Sequence, residues 1–136
     1  LVGTPAIVQL SVLDAALDAW NHVDMAELRA ASVALSECFI REVATRCPML
    51  KLASPHNSAQ RGSQVSFAFE HGYAAIQALT DRGVIGDFRA PTIMRFGFAP
   101  LYLDEGDVMR AVAIIEEVMS GELWRDPKYQ VVSRVT

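Results

Sequence analysis

The sequence predicts an α+β fold in which a small sheet packs against helices on one face. Three observations point there. Apolar residues recur at helical spacing through the first third, alternate strictly near residue 65, and return to helical spacing after residue 107. A length of 136 residues holds one domain. Hydrophobic residues make up 51% and charged residues 21%, the balance of an ordered globular chain.

The elements follow in order. Thr4-Pro5 is a good helix start, because Thr caps well and Pro suits the first helical position. Leu10, Leu13, Leu17 and Trp20 then fall on one face, predicting a helix over 5–22 that buries them. Asp24 with Glu27 three residues on resembles a capping box and starts a second helix over 24–46. Its expected buried stripe is Leu28, Ala31, Leu35, Phe39 and Val43. Residues 49–53 read as a short strand and 54–58 as a loop. Val65, Phe67 and Phe69 alternate with Gln64, Ser66 and Ala68, as a strand does. A helix over 73–82 buries Tyr73, Ile76 and Leu79, and Gly83 stands where a left-handed cap belongs. Val84-Ile85 reads as a strand start, 86–91 as a loop, 92–98 as a strand and 100–106 as a loop. Val108, Val112, Ile115 and Met119 mark a helix over 107–119 capped by Asp107. The tail, 121–136, shows no clear period.

Net charge is −4, and ten of the twelve cations are Arg. A nucleic-acid partner is not expected from an acidic chain. No apolar run approaches the ~20 residues of a membrane span. Cys38 and Cys47 lie nine residues apart, about 13 Å along a helix, too far for a disulfide. Reduced thiols and a cytoplasmic setting are therefore expected.

Arg95 is the most informative residue. Strand alternation puts it on one face with Ile93 and Gly97, and Met94, Phe96 and Phe98 on the other. A charge within an apolar strand needs a partner. Gly97 leaves space beside it for a ligand, and a planar fork of donors suits a carboxylate. The alternative is a structural ion pair with Asp87, Asp104 or Glu105. Thr4 sits at a helix start, where an anion such as phosphate is favoured, although most such threonines only cap. His22, His56 and His71 lack the close spacing of metal ligands. Cys38 reads as core rather than nucleophile.

Three stretches together resemble the C-terminal domain of bacterial kynureninase: Arg61-Gly62-Ser63-Gln64-Val65, then Asp87-Phe88-Arg89-Ala90-Pro91, then Arg95-Phe96-Gly97-Phe98-Ala99-Pro100-Leu101-Tyr102. The likeness extends to Gly3-Thr4-Pro5 and to Val23-Asp24-Met25, and covers the chain up to about Met119. It implies the small C-terminal domain of a fold-type I pyridoxal 5'-phosphate enzyme. The boundaries expected on it are a helical lead-in over 1–46, an α/β core over 47–119 and a tail over 120–136. The whole enzyme would be a cytoplasmic homodimer that hydrolyses L-kynurenine to anthranilate and L-alanine, in tryptophan catabolism leading towards NAD. The resemblance implies that Arg95 binds the substrate's α-carboxylate and that Thr4 lies at the cofactor pocket. It also implies that the cofactor-binding lysine lies upstream of Gly3-Thr4-Pro5, outside this chain, so that the chain is part of a longer protein and inactive alone. Two other readings are open: a free-standing domain that binds a small carboxylate for regulation, and the small domain of a related enzyme such as a cysteine desulfurase.

Overall fold

The computed structural model describes residues 5–131. Helix α1 (Ile7–Leu17) runs into a 3-10 turn, Asp18–Trp20, and is followed by α2 (Met25–Arg46). Strands β1 (Lys51–Leu52) and β2 (Gln64–Ala68) lead to α3 (Gly72–Thr80). The hairpin of β3 (Asp87–Arg89) and β4 (Ile93–Gly97) precedes α4 (Glu105–Ser120) and the short α5 (Pro127–Gln130). The four strands form one antiparallel sheet in the order β1-β2-β4-β3. This is the expected α+β class.

The sheet buries one face. Val65 and Phe67 of β2 and Met94 and Phe96 of β4 enter a single core with α2, α3 and α4. Phe39 of α2 sits at its centre, its ring centroid 5.9 Å from Phe67, 5.3 Å from Phe96 and 5.1 Å from Phe98. Tilted and edge-on aromatic contacts of this kind add to the area they bury. None of Gln64, Ser66, Asp87, Arg89, Arg95 or Gly97, on the opposite face, is buried.

Asp24 caps helix α2 as the sequence predicts, without the return bond from Asp24 N–H to Glu27 that would complete a capping box among the described residues. The Asp24 side chain accepts from the N–H groups of Ala26 and Glu27, at 2.7 and 3.0 Å. Its buried stripe differs in the first half: Ala31 is exposed and Leu28 half-buried, while Ser32 and Ser36 are buried with Leu35, Cys38, Phe39 and Val43. The reason is the polar segment packed on it. Ser32 Oγ donates to Ser63 Oγ at 2.7 Å, and Ser36 Oγ accepts from Arg61 at 3.3 Å.

Helix α3 ends with the two bonds of a Schellman motif. The Val84 N–H donates to the Leu79 carbonyl and the Gly83 N–H to the Thr80 carbonyl, both at 3.0 Å. Gly83 takes φ +86, which glycine reaches without steric cost. Val84 is then buried and Ile85 exposed, and no strand forms there. The strand lies one step later, in 87–89, where a loop was expected. Asp is a weak strand former, but pairing with β4 overrides local preference. Gly86 eases that approach, since a Cβ there would stand 3.1 Å from Phe96 Cε1 and 3.2 Å from the Arg95 carbonyl oxygen, both on β4.

Helix α4 starts earlier than predicted. Asp104, not Asp107, is the cap: its carboxylate accepts from the Asp107 N–H at 2.9 Å, while the Asp107 carboxylate accepts from the Asp104 N–H, also at 2.9 Å. This is a capping box with Asp in both roles. Its predicted stripe of Val108, Val112, Ile115 and Met119 is buried. The described part of the tail, residues 121–131, packs on α3 and buries Trp124 and Tyr129.

Helix α1 departs most from expectation. No residue in it is buried, and Leu10, Leu13 and Leu17 are all exposed, as is Trp20. Ile7, Val8 and Val12 add apolar side chains off the predicted stripe, so the helix is apolar on every side. A helix of that kind belongs inside a larger body.

Candidate functional site

Strand β4 places Arg95 on the open face of the sheet, opposite Met94 and Phe96, as strand alternation predicts. Met94 and Phe96 turn inward, and Arg95 keeps 29% side-chain exposure. Pairing sets a row across three strands: Ser66 of β2, Arg95 of β4 and Asp87 of β3 are register partners. Gly97, two residues on, leaves room, because a Cβ there would meet nothing within 4 Å.

Of the three carboxylates considered from sequence, the structure brings Asp87 to Arg95. Arg95 Nε donates to Asp87 Oδ2 at 2.9 Å, and Arg95 Nη2 donates to the same oxygen. Arg89, on the same face of β3, adds a third donor through Nε at 3.1 Å. The Arg95 guanidinium holds the Asp87 carboxyl below its usual range, and the charge of Arg89 adds to this. Asp104 is occupied as a helix cap, and Glu105 lies beside Cys38 instead, 3.9 Å from its sulfur.

The cluster of Asp87, Arg89 and Arg95 carries two cations and one anion. Its net positive charge and part-exposed donors suit a small anion, and a carboxylate matches the guanidinium fork. On the core side, Gly97 also borders a hollow of about 990 Å3 lined by Phe39, Phe96, Phe98, Tyr102 and Ile114. Arg95 does not line that hollow.

The other candidates lie apart. Thr4 is outside the described residues. His71 stacks on Trp124 with centroids 4.4 Å apart, and no group of three His, Cys, Asp or Glu among the described residues could hold a metal ion. Cys38 and Cys47 are buried and free.

A second arginine escaped the sequence reading of the chemistry. Arg61 is buried to 2% side-chain exposure, donates through Nη1 to the Pro55 and His56 carbonyls at 2.9 and 3.0 Å, and pairs with Glu37. Arg29 donates to the Ser58 and Arg61 carbonyls at 2.7 and 2.8 Å. Together they pin the segment between β1 and β2 onto α2. Nothing local in Gln60-Arg61-Gly62 marks this burial, because the partners are backbone carbonyls.

The family model described as the kynureninase C-terminal domain matches residues 28–115. A kynureninase of Pseudomonas fluorescens is 47% identical over the whole of this chain. Kynureninases of Burkholderia mallei (strain SAVP1) and Burkholderia pseudomallei (strain K96243) are each 44% identical, again over the whole chain. The chain spans about a third, 33%, of the length of each of these relatives.

Proposed function

Because the chain belongs to the kynureninase C-terminal domain family, we propose that it is the small domain of a kynureninase and brings Arg95 to the substrate's α-carboxylate. The observation that carries the reading is the Arg95 guanidinium on the open sheet face, partnered by one carboxylate and beside a residue with no side chain. The whole enzyme would hydrolyse L-kynurenine to anthranilate and L-alanine with pyridoxal phosphate, as a homodimer. The boundaries proposed are 1–46, 47–119 and 120–136 within one small domain, and all three stretches supply its core, through Phe39, Phe67 and Trp124 among others.

The described residues do not fit the cofactor by themselves. Lys128 is committed to Asp81 at 3.1 Å and lies over the Tyr129 ring, and Lys51 donates to the Pro48 carbonyl at 3.4 Å. In this proposal the cofactor's lysine comes from the part of the relatives' length that this chain does not match, and Thr4 lies on the cofactor side of the pocket. The bare apolar α1 supports a domain of a larger body over a free-standing regulatory domain. Free buried thiols support a reducing, cytoplasmic setting, and no helix among the described residues is long and apolar enough to cross a membrane.

The test is Arg95→Ala and Arg95→Lys in the whole enzyme. A bidentate, charge-assisted contact contributes about 1.5–3 kcal/mol per bond, so Ala should lower kcat/KM about a hundredfold, at about 1.4 kcal/mol per decade. Lys keeps the charge without the fork and should fall between. Cofactor loading should stay near normal. Unchanged kinetics in a destabilised Arg95→Ala enzyme would assign Arg95 to structure instead.

A further inference from the structure

We propose that Asp87 is a positioning residue for this carboxylate site: it clamps one edge of the Arg95 guanidinium and leaves the other edge for the substrate. The inference rests on the reading of Arg95 just given and names the group that makes its fork usable.

A guanidinium has two edges that can grip a carboxylate, one formed by Nε with one terminal nitrogen and one formed by the two terminal nitrogens. Asp87 takes the first, since Arg95 Nε and Nη2 both donate to Oδ2. Arg95 Nη1 has no hydrogen-bond partner among the described residues, although the side chain is only part-exposed. The grip is fixed by the backbone, because Asp87 and Arg95 are register partners on adjacent antiparallel strands. An arginine stem without such a clamp samples many rotamers, and ordering it on binding costs affinity. The clamp does not cancel the charge that attracts an anion. Arg89 shares the same Asp87 oxygen, so the three side chains keep one net positive charge. Small residues neighbour Arg95 on its face of the sheet: Ser66 pairs with it across β2, and Gly97, two residues on, has no Cβ.

The opposite role for Asp87 is a competitor that occupies the fork until substrate displaces it. The two roles differ in sign. Removing a clamp weakens substrate binding, and removing a competitor strengthens it.

The experiment uses the whole holoenzyme with Asp87→Ala, Asp87→Asn, Arg95→Ala and the Asp87→Ala/Arg95→Ala pair. Steady-state kinetics are measured with L-kynurenine and with its carboxamide, which lacks the carboxylate. Melting temperature and cofactor content are followed on each protein. The clamp raises KM for L-kynurenine when lost: about tenfold in Asp87→Ala and less in Asp87→Asn, which keeps the shape and one acceptor. kcat should change less than twofold, as expected for an interaction made equally in the ground and transition states. The Asp87→Ala effect should vanish in the Arg95→Ala background, and KM for the carboxamide should not respond to Asp87 at all. A merely structural Asp87 would move the melting temperature and act on both substrates alike. A lower or unchanged KM for L-kynurenine in both Asp87 variants overturns the clamp while Arg95→Ala still loses activity. If Arg95→Ala itself has normal kinetics, the carboxylate reading fails and the clamp with it.

Discussion

The two faces of the sheet use neighbouring positions of the same strands for different ends. On the inner face Val65, Phe67, Met94 and Phe96 are buried together against Phe39. On the outer face Gln64, Ser66, Arg95 and Gly97 are all at least partly exposed. One step along β4 separates a methionine in the core from the guanidinium of the candidate site. The alternation of a strand makes this possible, because each residue commits to one face. Stability and ligand chemistry can then change independently at adjacent positions. Arg61 and Arg95 repeat the contrast in one residue type. Arg61 is buried and bonded to two carbonyls, a hydroxyl and a carboxylate, whereas Arg95 has one carboxylate and an open edge.

The largest expected effect lies on the inner face. Phe39→Ala removes the ring that touches three other phenylalanines and should cost about 3–5 kcal/mol, the usual range for a buried Phe. Denaturant unfolding of this chain checks it. Ser66→Ala, on the outer face of the same sheet, should stay within about 0.5 kcal/mol. Equal losses from the two would mean that the faces are not energetically distinct.

The arginine pair comes next. Arg61→Ala leaves the Pro55 and His56 carbonyls without their donor and should cost about 2–3 kcal/mol, less than a fully buried pair because Glu37 is half exposed. In the whole enzyme its surviving folded fraction should keep a near-normal KM. Arg95→Ala should do the reverse: a part-exposed ion pair contributes about 0–1 kcal/mol, so the melting point should barely move while KM rises. A collapse of KM in Arg61→Ala would break the division between a structural and a binding arginine.

Most of the inner face was legible in the sequence and part of the outer face was. Period-two alternation placed Val65, Phe67, Met94 and Phe96 correctly because it depends only on which residues avoid water. The stripe of α2 failed at Ala31 and Ser32 because the partner of that turn is a polar segment tied down by Arg29 and Arg61, and periodicity reports only apolar partners. Strand β3 was missed because Asp and Arg at its ends read as loop, although those two side chains assemble the candidate cluster around Arg95. The Arg95–Asp87 ion pair is the structural alternative that the sequence offers to a ligand, and the structure shows that pair, made through Arg95 Nε and Nη2 alone.

An effect of similar size should appear at alkaline pH, on the core side. Burial pushes the Cys47 thiol up to about 11, with the charge of Glu116 adding to it and Arg46 opposing. The folded state therefore favours the neutral thiol. Its contribution is complete below the ordinary thiol range and is lost as pH rises through about 11. At about 1.4 kcal/mol per unit, the loss should be roughly 2–3 kcal/mol between pH 9 and 11. Unfolding midpoints of the natural chain and of Cys47→Ala over that range isolate it, since every other titrating group is common to both. The natural chain should lose stability faster than the variant. Parallel curves would mean that water reaches the thiolate in the folded state.

The smallest expected effect on folding belongs to α1, whose apolar residues contribute nothing to the core. Leu10, Leu13 and Leu17 are about half exposed, so removing them should leave the unfolding midpoint of this chain within about 0.5 kcal/mol. Their exposure has another consequence. A contiguous apolar surface of a few hundred Å2 promotes association, and α1 adds Ile7, Val8 and Val12 to it. The isolated chain should therefore self-associate through α1, with a light-scattering mass that rises with concentration. Leu13→Gln with Leu17→Gln should return it to a monomer while the core unfolds as before. A chain that stays monomeric at high concentration without these changes would show that α1 is not an adhesive surface. A double variant that loses several kcal/mol would show instead that α1 packs on the core in solution, and that the inner face of the sheet is not the whole of the domain's stability.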